Sequence, residues 1–285
     1  MRRWVRHGCA VAAAILVAAA PASAKRSPAL DGTISYASFT SRAVKGTLHY
    51  AVYLPPGYSG GGARYPVVYF LHGLPASSTS YRNIGPIAAA LELAGDRAIV
   101  IGVQGSRAGD SDPEWLDRGA GHNWETATAK ELVSVIDGRY RTIAARAGRM
   151  IVGISGGGYG ATLIALHNPG TYSAVESWSG YFHATNPAGT AALDLGSTDA
   201  NDWANANKLL PSVRTLLGVS RPRTYFAFYV GTDDRLFRAE NERFYRRLRS
   251  VGLYHVVFRL YRGGHDWTLW NAHAAAWLHN GLSAP

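Results

Sequence analysis

Residues 153–157 read Gly-Ile-Ser-Gly-Gly, which places one serine in the pattern G-x-S-x-G. The apolar residues 150–152 come directly before the motif and predict a buried strand, and the residues after it predict a helix. In this strand–turn–helix setting the motif is typical of a nucleophilic serine in a sharp turn, where side chains at positions 153 and 157 would collide with their surroundings. Ser155 is therefore the predicted nucleophile, and its chemistry would be attack on an acyl carbonyl.

Two other interpretations of this stretch are open. Residues 156–161 also fit G-x-G-x-x-A, the phosphate-binding turn of a dinucleotide fold. That turn belongs in the first strand–helix unit and is followed about 20 residues later by an acidic residue, whereas here several predicted strands come first. A purely structural glycine turn is the second alternative. The position of the motif in the chain favours the nucleophile.

A serine hydroxyl is a weak nucleophile until a base accepts its proton. One later strand is predicted to end with the pair Asp233 and Asp234, and the next with His265 in a glycine-rich turn. In α/β-hydrolases the serine, the acid and the histidine follow one another in that order along the chain, each after a strand. We predict that His265 transfers the proton of Ser155 and that Asp234 orients the imidazole, with Asp233 as the alternative acid.

The oxyanion formed by such an attack needs backbone N–H donors, each worth about 3 kcal/mol. The N–H of Gly156, directly after the nucleophile, is the first candidate. The second should come from the loop after the predicted strand 65–71, where we favour Leu74. Pro75 has no N–H to donate, and His72 is expected to brace the backbone of this loop.

Strands and helices alternate along the rest of the chain, and several strands are continuously apolar, as in sheets that are covered on both faces. This pattern predicts an α/β fold with a mostly parallel, doubly wound sheet and antiparallel N-terminal strands. Residues 25–285 are expected to form one catalytic domain, in which residues 181–222 break the alternation and form a cap or lid. Strands are predicted at 33–40, 48–54, 65–71, 98–103, 149–154, 174–179, 224–230 and 256–261, and helices up to about 94 and at 125–140, from 156, at 239–251 and at 268–282.

Residues 1–24 have the composition of a signal peptide: three arginines, a short apolar run and a small-residue cleavage site ending at Ala24. The apolar run is too short to span a bilayer core of roughly 30 Å. Cleavage after Ala24 would remove Cys9, the single cysteine, and with it any thiol nucleophile or thiolate metal site. The mature domain is expected to be secreted or held in the periplasm or cell envelope, without a stable membrane anchor.

Charge and motif content argue against several other classes of protein. The formal net charge is +10 and would fall to +7 without the three N-terminal arginines. The arginines of 238–249 alternate with apolar residues, which indicates a solvated helix face and not a nucleic-acid site. No metal-binding motif or P-loop is present, so no metal or cofactor is expected. Four aromatic residues are candidates to line an acyl pocket, with burial in the core as the alternative: Trp124, Trp178, Tyr181 and Trp267.

These motifs together resemble the esterase D-like branch of α/β-hydrolases, which includes feruloyl and acetylxylan esterases, S-formylglutathione hydrolases, enterochelin esterases and mycolyltransferases. The resemblance extends over most of the mature chain and implies an α/β-hydrolase fold with carboxylesterase activity through an acyl-enzyme. In that family the acid stands three residues after a glycine, which favours Asp234. The residues that carry the resemblance are 53–58, 71–74, 131–132, 136–137, 153–157, 231–234 and 263–266.

The resemblance implies a small-molecule or polysaccharide-linked ester as the substrate, and the Gly-Gly-His-Asp turn is most similar to that of feruloyl and acetylxylan esterases. Mycolyltransferases typically use Glu as the acid, so Asp234 argues against acyl transfer, although Leu74 matches their oxyanion leucine. An envelope acyltransferase of mycolyltransferase type therefore stays an alternative. A binding protein on the same scaffold is a further one, which the intact set of Ser155, Asp234 and His265 disfavours.

Overall fold

The computed structural model describes residues 29–110, 114–186, 188–213, 224–253 and 255–284. The predicted signal peptide, its cleavage site at Ala24 and Cys9 lie outside these residues. The described strands are β1 Thr33–Ser41, β2 Gly46–Leu54, β3 Val67–Leu71, β4 Ile99–Val103, β5 Arg149–Ile154, β6 Ala174–Trp178, β7 Tyr225–Gly231 and β8 Val257–Tyr261. The helices are α1 Gly85–Ala94, α2 Trp124–Thr126, α3 Val133–Arg139, α4 Gly156–His167, α5 Thr198–Trp203, α6 Ala206–Val213, α7 Arg238–Ser250 and α8 Trp267–Ser283.

The eight strands form one sheet in the order β1-β2-β4-β3-β5-β6-β7-β8. The pairs β1–β2 and β2–β4 are antiparallel, and every later pair is parallel. This confirms the predicted mostly parallel sheet with antiparallel N-terminal strands. Because the strands from β3 to β8 are parallel, their carboxyl ends lie along one edge of the sheet, where loops can bring distant residues together.

Apolar cores on both faces of the sheet explain why its strands read as continuous hydrophobic runs. In β3, Tyr69 and Leu71 pack into one core, while Val68 and Phe70 pack into the other. Residues of α2, α3, α4 and α7 cover the first core, and residues of α1 and α8 cover the second. The cores hold the carboxyl edge of the sheet in one geometry, because both surfaces of each central strand are packed.

Two regions differ in detail from the sequence prediction. The helix predicted at 125–140 is continuous in the structure, but its middle, Ala127–Leu132, is π-helical. The predicted cap, described over 181–186 and 188–213, contains the short helices α5 and α6. The side chain of Ser197 accepts the N–H of Ala200 and so caps α5. A helix of 6 residues carries too little periodicity to be recognised in a polar stretch.

The predicted cap is packed onto the sheet domain at its start and again near its middle. The ring of Phe182 stacks on Phe244 of α7 with their centroids 3.7 Å apart, and the hydroxyl of Tyr159 in α4 donates to the carbonyl of Ala204 at 2.7 Å. Whether this segment acts as a lid stays a prediction. Within the part of the chain that the structure describes, no helix is both long and apolar enough to cross a membrane.

Candidate active site

Ser155 occupies a sharp turn between β5 and α4. Its backbone has φ 52° and ψ −123°, a conformation that a residue with a side chain rarely adopts. The two flanking glycines are required by space, as the motif predicts. A Cβ atom on Gly153 would lie 2.1 Å from the carbonyl oxygen of Gly157, and one on Gly157 would lie 2.0 Å from that of Leu71. The turn therefore forms only with glycine at both positions.

The loops after β7 and β8 are joined to each other beside this turn. The N–H of Asp233 donates to the carbonyl of Gly263 at 2.9 Å. Asp266 caps α8, because its side chain accepts the N–H groups of Thr268 and Leu269. His265 is thus held between a backbone hydrogen bond on one side and a helix start on the other.

The structure brings Ser155, His265 and Asp234 into one chain of hydrogen bonds. His265 Nε2 lies 2.9 Å from Ser155 Oγ, and His265 Nδ1 lies 2.7 Å from Asp234 Oδ2. With Nδ1–H donating to the carboxylate, Nε2 is the atom that can accept the serine proton. This arrangement can activate a hydroxyl for attack and then return the proton to a leaving group.

Asp234, and not Asp233, is the carboxylate in contact with the imidazole. Asp234 is only 2% exposed, and its second oxygen accepts the N–H groups of Leu236 at 3.1 Å and Phe237 at 3.0 Å. Asp233 is exposed, and its carboxylate accepts the hydroxyl of Thr232. The buried carboxylate is therefore fixed in orientation, while its neighbour faces solvent.

Leu74 and Gly156, the predicted oxyanion donors, lie side by side. A Cβ atom on Gly156 would be 2.9 Å from Leu74 Cγ, and one on Gly73 would be 2.9 Å from the Cβ of Ser155. Gly156 is the first residue of α4, so its N–H has no acceptor within the helix. The loop after β3 and the start of α4 thus both lie directly beside the nucleophile.

His72 braces the loop after β3, as predicted. Its Nε2 accepts the N–H of Gly105 at 3.2 Å, so its Nδ1 carries the proton and donates to the carbonyl of Gly73 at 3.0 Å. Since Gly73 contacts Ser155, this neutral imidazole fixes the loop next to the nucleophile. His72 is 5% exposed, and the imidazole that binds Ser155 Oγ is that of His265.

The four aromatic candidates for an acyl pocket are placed differently. Trp124 and Trp178 are 0% exposed, each in one of the two cores, so the structure does not bring their rings to a surface that a substrate can reach. The Tyr181 hydroxyl lies beside the nucleophile, 3.0 Å from where a Cβ on Gly156 would be. Trp267 is half-buried and packs edge-on against Trp270 at 5.3 Å.

Two rings beside the imidazole were not predicted. Phe237 and Trp270 lie 5.2 and 5.3 Å from His265, both edge-on. The indole N–H of Trp270 donates to Ser179 Oγ at 3.1 Å, which fixes that ring. No motif marks these two residues in the sequence, because only the packing of α7 and α8 against the loop brings them to the histidine.

Near the active site, the surroundings favour the neutral form of the Tyr181 phenol and the charged form of the Asp266 carboxylate. Burial and the neighbouring Glu114 raise the pKa of Tyr181 well above its usual value, so this hydroxyl stays a hydrogen-bond donor. Hydrogen bonds from the N–H groups of Leu269 and Thr268 lower the pKa of Asp266. Among the residues that the structure describes, no group of three His, Cys, Asp or Glu side chains is arranged to hold a metal ion.

Solved structures of the same fold include esterases and related hydrolases. A ferulic acid esterase is 23% identical and superimposes with a TM-score of 0.69, covering 87% of this chain and 96% of that one. An S-formylglutathione hydrolase from Agrobacterium tumefaciens is 20% identical with a TM-score of 0.71, covering 90% of this chain and 97% of that one. At these identities the likeness shows a common fold and confirms the α/β-hydrolase prediction.

Sequence comparisons point to the same family. The esterase Rv1288 of Mycobacterium tuberculosis (strain H37Rv) is 30% identical over 177 residues, which make up 58% of this chain and 38% of the relative. The aligned region thus spans less than two fifths of that relative's length. Residues 41–278 match the family model Esterase, described as "Putative esterase". The chain therefore belongs to the Esterase family, in agreement with the resemblance in its motifs.

Proposed function

We propose that this protein is a serine carboxylesterase that hydrolyses acyl esters through an acyl-enzyme on Ser155. The observation that carries the proposal is the chain of hydrogen bonds from Ser155 Oγ through His265 to Asp234, with distances of 2.9 and 2.7 Å. Membership of the Esterase family supports the same chemistry.

In the proposed reaction, Ser155 Oγ attacks the ester carbonyl while its proton passes to His265 Nε2. The N–H groups of Gly156 and Leu74 stabilise the tetrahedral oxyanion, and the N-terminus of α4 adds a favourable dipole. The intermediate collapses as the C–O bond to the alcohol breaks, and the imidazolium gives its proton to that alcohol. Water then attacks the acyl-enzyme by the same route, which releases the carboxylic acid and restores the serine.

The proposed substrates are esters of feruloyl, acetyl or other short acyl groups, free or linked to a polysaccharide. The names of the structural relatives and the Gly-Gly-His-Asp turn support this range. We also propose export of the protein, on the signal-peptide composition of residues 1–24. The intact mass of the protein, measured in the cytoplasmic and extracytoplasmic fractions, tests export. Protein outside the cytoplasm that lacks residues 1–24 supports export, and protein found only in the cytoplasm with an intact N-terminus contradicts it.

Hydrolysis of p-nitrophenyl acetate, p-nitrophenyl butyrate and methyl ferulate tests the activity. We expect turnover by the wild type and a loss of at least about 10³-fold in kcat in Ser155→Ala and His265→Ala. His279→Ala is a matched control, because His279 is exposed and pairs with Asp96. Circular dichroism verifies that each variant is folded.

The same experiment separates the alternatives. Undiminished hydrolysis by folded Ser155→Ala would contradict the acyl-enzyme outright. A wild type inactive on all three esters would favour transfer to a sugar acceptor or a binding role over hydrolysis. Preference for methyl ferulate over the short-chain esters would assign the feruloyl class.

A further inference from the structure

Two consecutive residues near the nucleophile adopt a left-handed backbone conformation although both carry large side chains. Glu114 has φ 56° and Trp115 has φ 61°. Such a conformation costs about 1 kcal/mol or more per residue and persists where surrounding contacts enforce it, often beside functional sites. Both residues are buried, at 1% and 2% exposure. Neither has a part in the reaction as proposed above, so their contacts need another explanation.

The carboxylate of Glu114 binds the phenol of Tyr181. The Tyr181 hydroxyl donates to Glu114 Oε1 at 2.8 Å, and Thr185 donates to both carboxylate oxygens at 3.4 Å. The same phenol oxygen lies 3.0 Å from the position of a Cβ on Gly156. Glu114 therefore binds the phenol that lies next to Gly156, the residue whose N–H is proposed to bind the oxyanion.

Trp115 reaches the other half of the same site. Its ring lies 4.9 Å from that of His72, whose Nδ1 binds the carbonyl of Gly73 beside the nucleophile. A Cβ atom on Gly160 of α4 would come within 2.5 Å of this indole, so the ring also packs closely against the helix that follows Ser155. The pair Glu114-Trp115 thus contacts both backbone segments that supply the oxyanion donors.

We propose that Glu114 is a positioning residue for the ester hydrolysis proposed above. It acts through Tyr181 to hold the start of α4 at the distance from the loop after β3 that the oxyanion requires. This inference rests on the proposed function. Glu114 acts indirectly, since the phenol of Tyr181 lies between its carboxylate and Gly156. Oxyanion donors work only when they are preorganised at the right distance, and small displacements of a site cost rate more than ground-state binding.

Four variants test the proposal by the split between kcat and KM. We expect Glu114→Ala and Tyr181→Phe each to lower kcat for p-nitrophenyl butyrate by about 10- to 100-fold, with KM changed less than about threefold. Glu114→Gln keeps an acceptor for the phenol and is expected to stay within about fivefold of wild type. Because the two residues act as one unit, the kcat of the double variant Glu114→Ala/Tyr181→Phe should be no lower than that of the more impaired single variant.

A second readout reports on the oxyanion site without turnover. Phenylboronic acid forms a tetrahedral adduct with a nucleophilic serine, and its affinity should fall in Glu114→Ala by about the same factor as kcat. Glu240→Ala is the matched control, because Glu240 binds the N–H of Phe182 at 2.8 Å and His183 Nδ1 at 2.7 Å. The Glu240→Ala variant thus loses a carboxylate that binds the two residues after Tyr181. We expect its kcat to be within about threefold of wild type.

Three results would overturn the inference: wild-type kcat in Glu114→Ala or Tyr181→Phe, an equal loss in Glu240→Ala, or Glu114→Gln as impaired as Glu114→Ala. Tyr181→Phe preserves the ring and its stacking on Tyr159 at 5.2 Å, so it remains informative if Glu114→Ala does not fold. If Ser155→Ala keeps full activity, the esterase proposal itself fails. If Ser155 is required and Glu114→Ala is fully active, only the positioning role fails.

Discussion

Two adjacent aspartates at the end of β7 have different environments and, we propose, different roles. Asp234 is buried and shares its oxygens between His265 and two backbone N–H groups. Asp233 faces solvent, and its backbone N–H binds the carbonyl of Gly263. The first can hold the imidazole in one tautomer, while the second positions the loop that carries it.

Replacing each aspartate by asparagine separates these roles. Asp234→Asn should lower kcat by about 10³- to 10⁴-fold, because the amide favours the wrong imidazole tautomer and does not stabilise the imidazolium. Asp233→Asn keeps the backbone hydrogen bond and should stay within about threefold of wild type. Steady-state hydrolysis of p-nitrophenyl butyrate measures both. A reversed order of the two losses would transfer the role of acid to Asp233.

The turn between β5 and α4 depends on the close approach of backbone to backbone. A Cβ on Gly153 would meet the carbonyl of Gly157 at 2.1 Å, and both groups belong to regular elements that cannot move independently. Gly138 in α3 is different: it is exposed, and nothing lies within 4 Å of a Cβ placed on it. The two glycines therefore have opposite consequences for stability when alanine replaces them.

We expect Gly153→Ala to lower the free energy of unfolding by about 2 to 3 kcal/mol, because the backbone must shift to admit the methyl group. Gly138→Ala should raise it by about 0.5 to 1 kcal/mol, since alanine reduces the freedom of the unfolded chain and has a higher helix propensity than glycine. Urea unfolding followed by circular dichroism measures both changes. A stability for Gly153→Ala equal to that of wild type would show that the turn tolerates a side chain.

At the scale of the whole molecule, the carboxyl group of Glu176 is buried in the second core. Glu176 in β6 is 0% exposed, and it accepts the indole N–H of Trp178 at 2.9 Å. Its Oε1 has no hydrogen-bond partner among the described residues. Burial raises the pKa of Glu176 from its usual 4.5 to about 8, because a charge in this core would be desolvated. Global stability is therefore coupled to the protonation of one core residue.

The sign of this coupling follows from the raised pKa. The folded state holds the proton up to about pH 8, whereas the unfolded chain releases it above about pH 4.5. Stability from this group is thus complete below pH 4.5 and falls as the pH rises toward 8, by at most about 1.4 kcal/mol per pH unit. Glu176→Gln keeps an acceptor for the indole and should flatten this dependence. Urea midpoints at pH 5, 6.5 and 8 measure it, and identical slopes for the two proteins would contradict the assignment.

The sequence by itself determined the features that depend on neighbouring residues. All eight strands lie within a few residues of their predicted positions. For the central strands the reason is that parallel strands buried on both faces leave continuous apolar runs. Ser155 and its flanking glycines are recognisable in the sequence, since the sharp turn requires particular residue types at positions within five residues of each other. His265 is predicted from its order after two strands, and the predicted antiparallel start of the sheet is confirmed by the pairs β1–β2 and β2–β4.

Only the tertiary structure decided which distant residues meet. Burial distinguishes Asp234 from Asp233. Trp124 in α2 and Trp178 in β6 are core residues, because helices pack against the sheet and bury both rings. Phe237 and Trp270 reach His265, and Glu114 reaches Tyr181 across 67 positions of the chain, without any spacing that reveals it. The physical reason is that these contacts depend on how helices and loops pack against the sheet. That packing follows from the shape of the whole core and leaves no periodic trace in the local sequence.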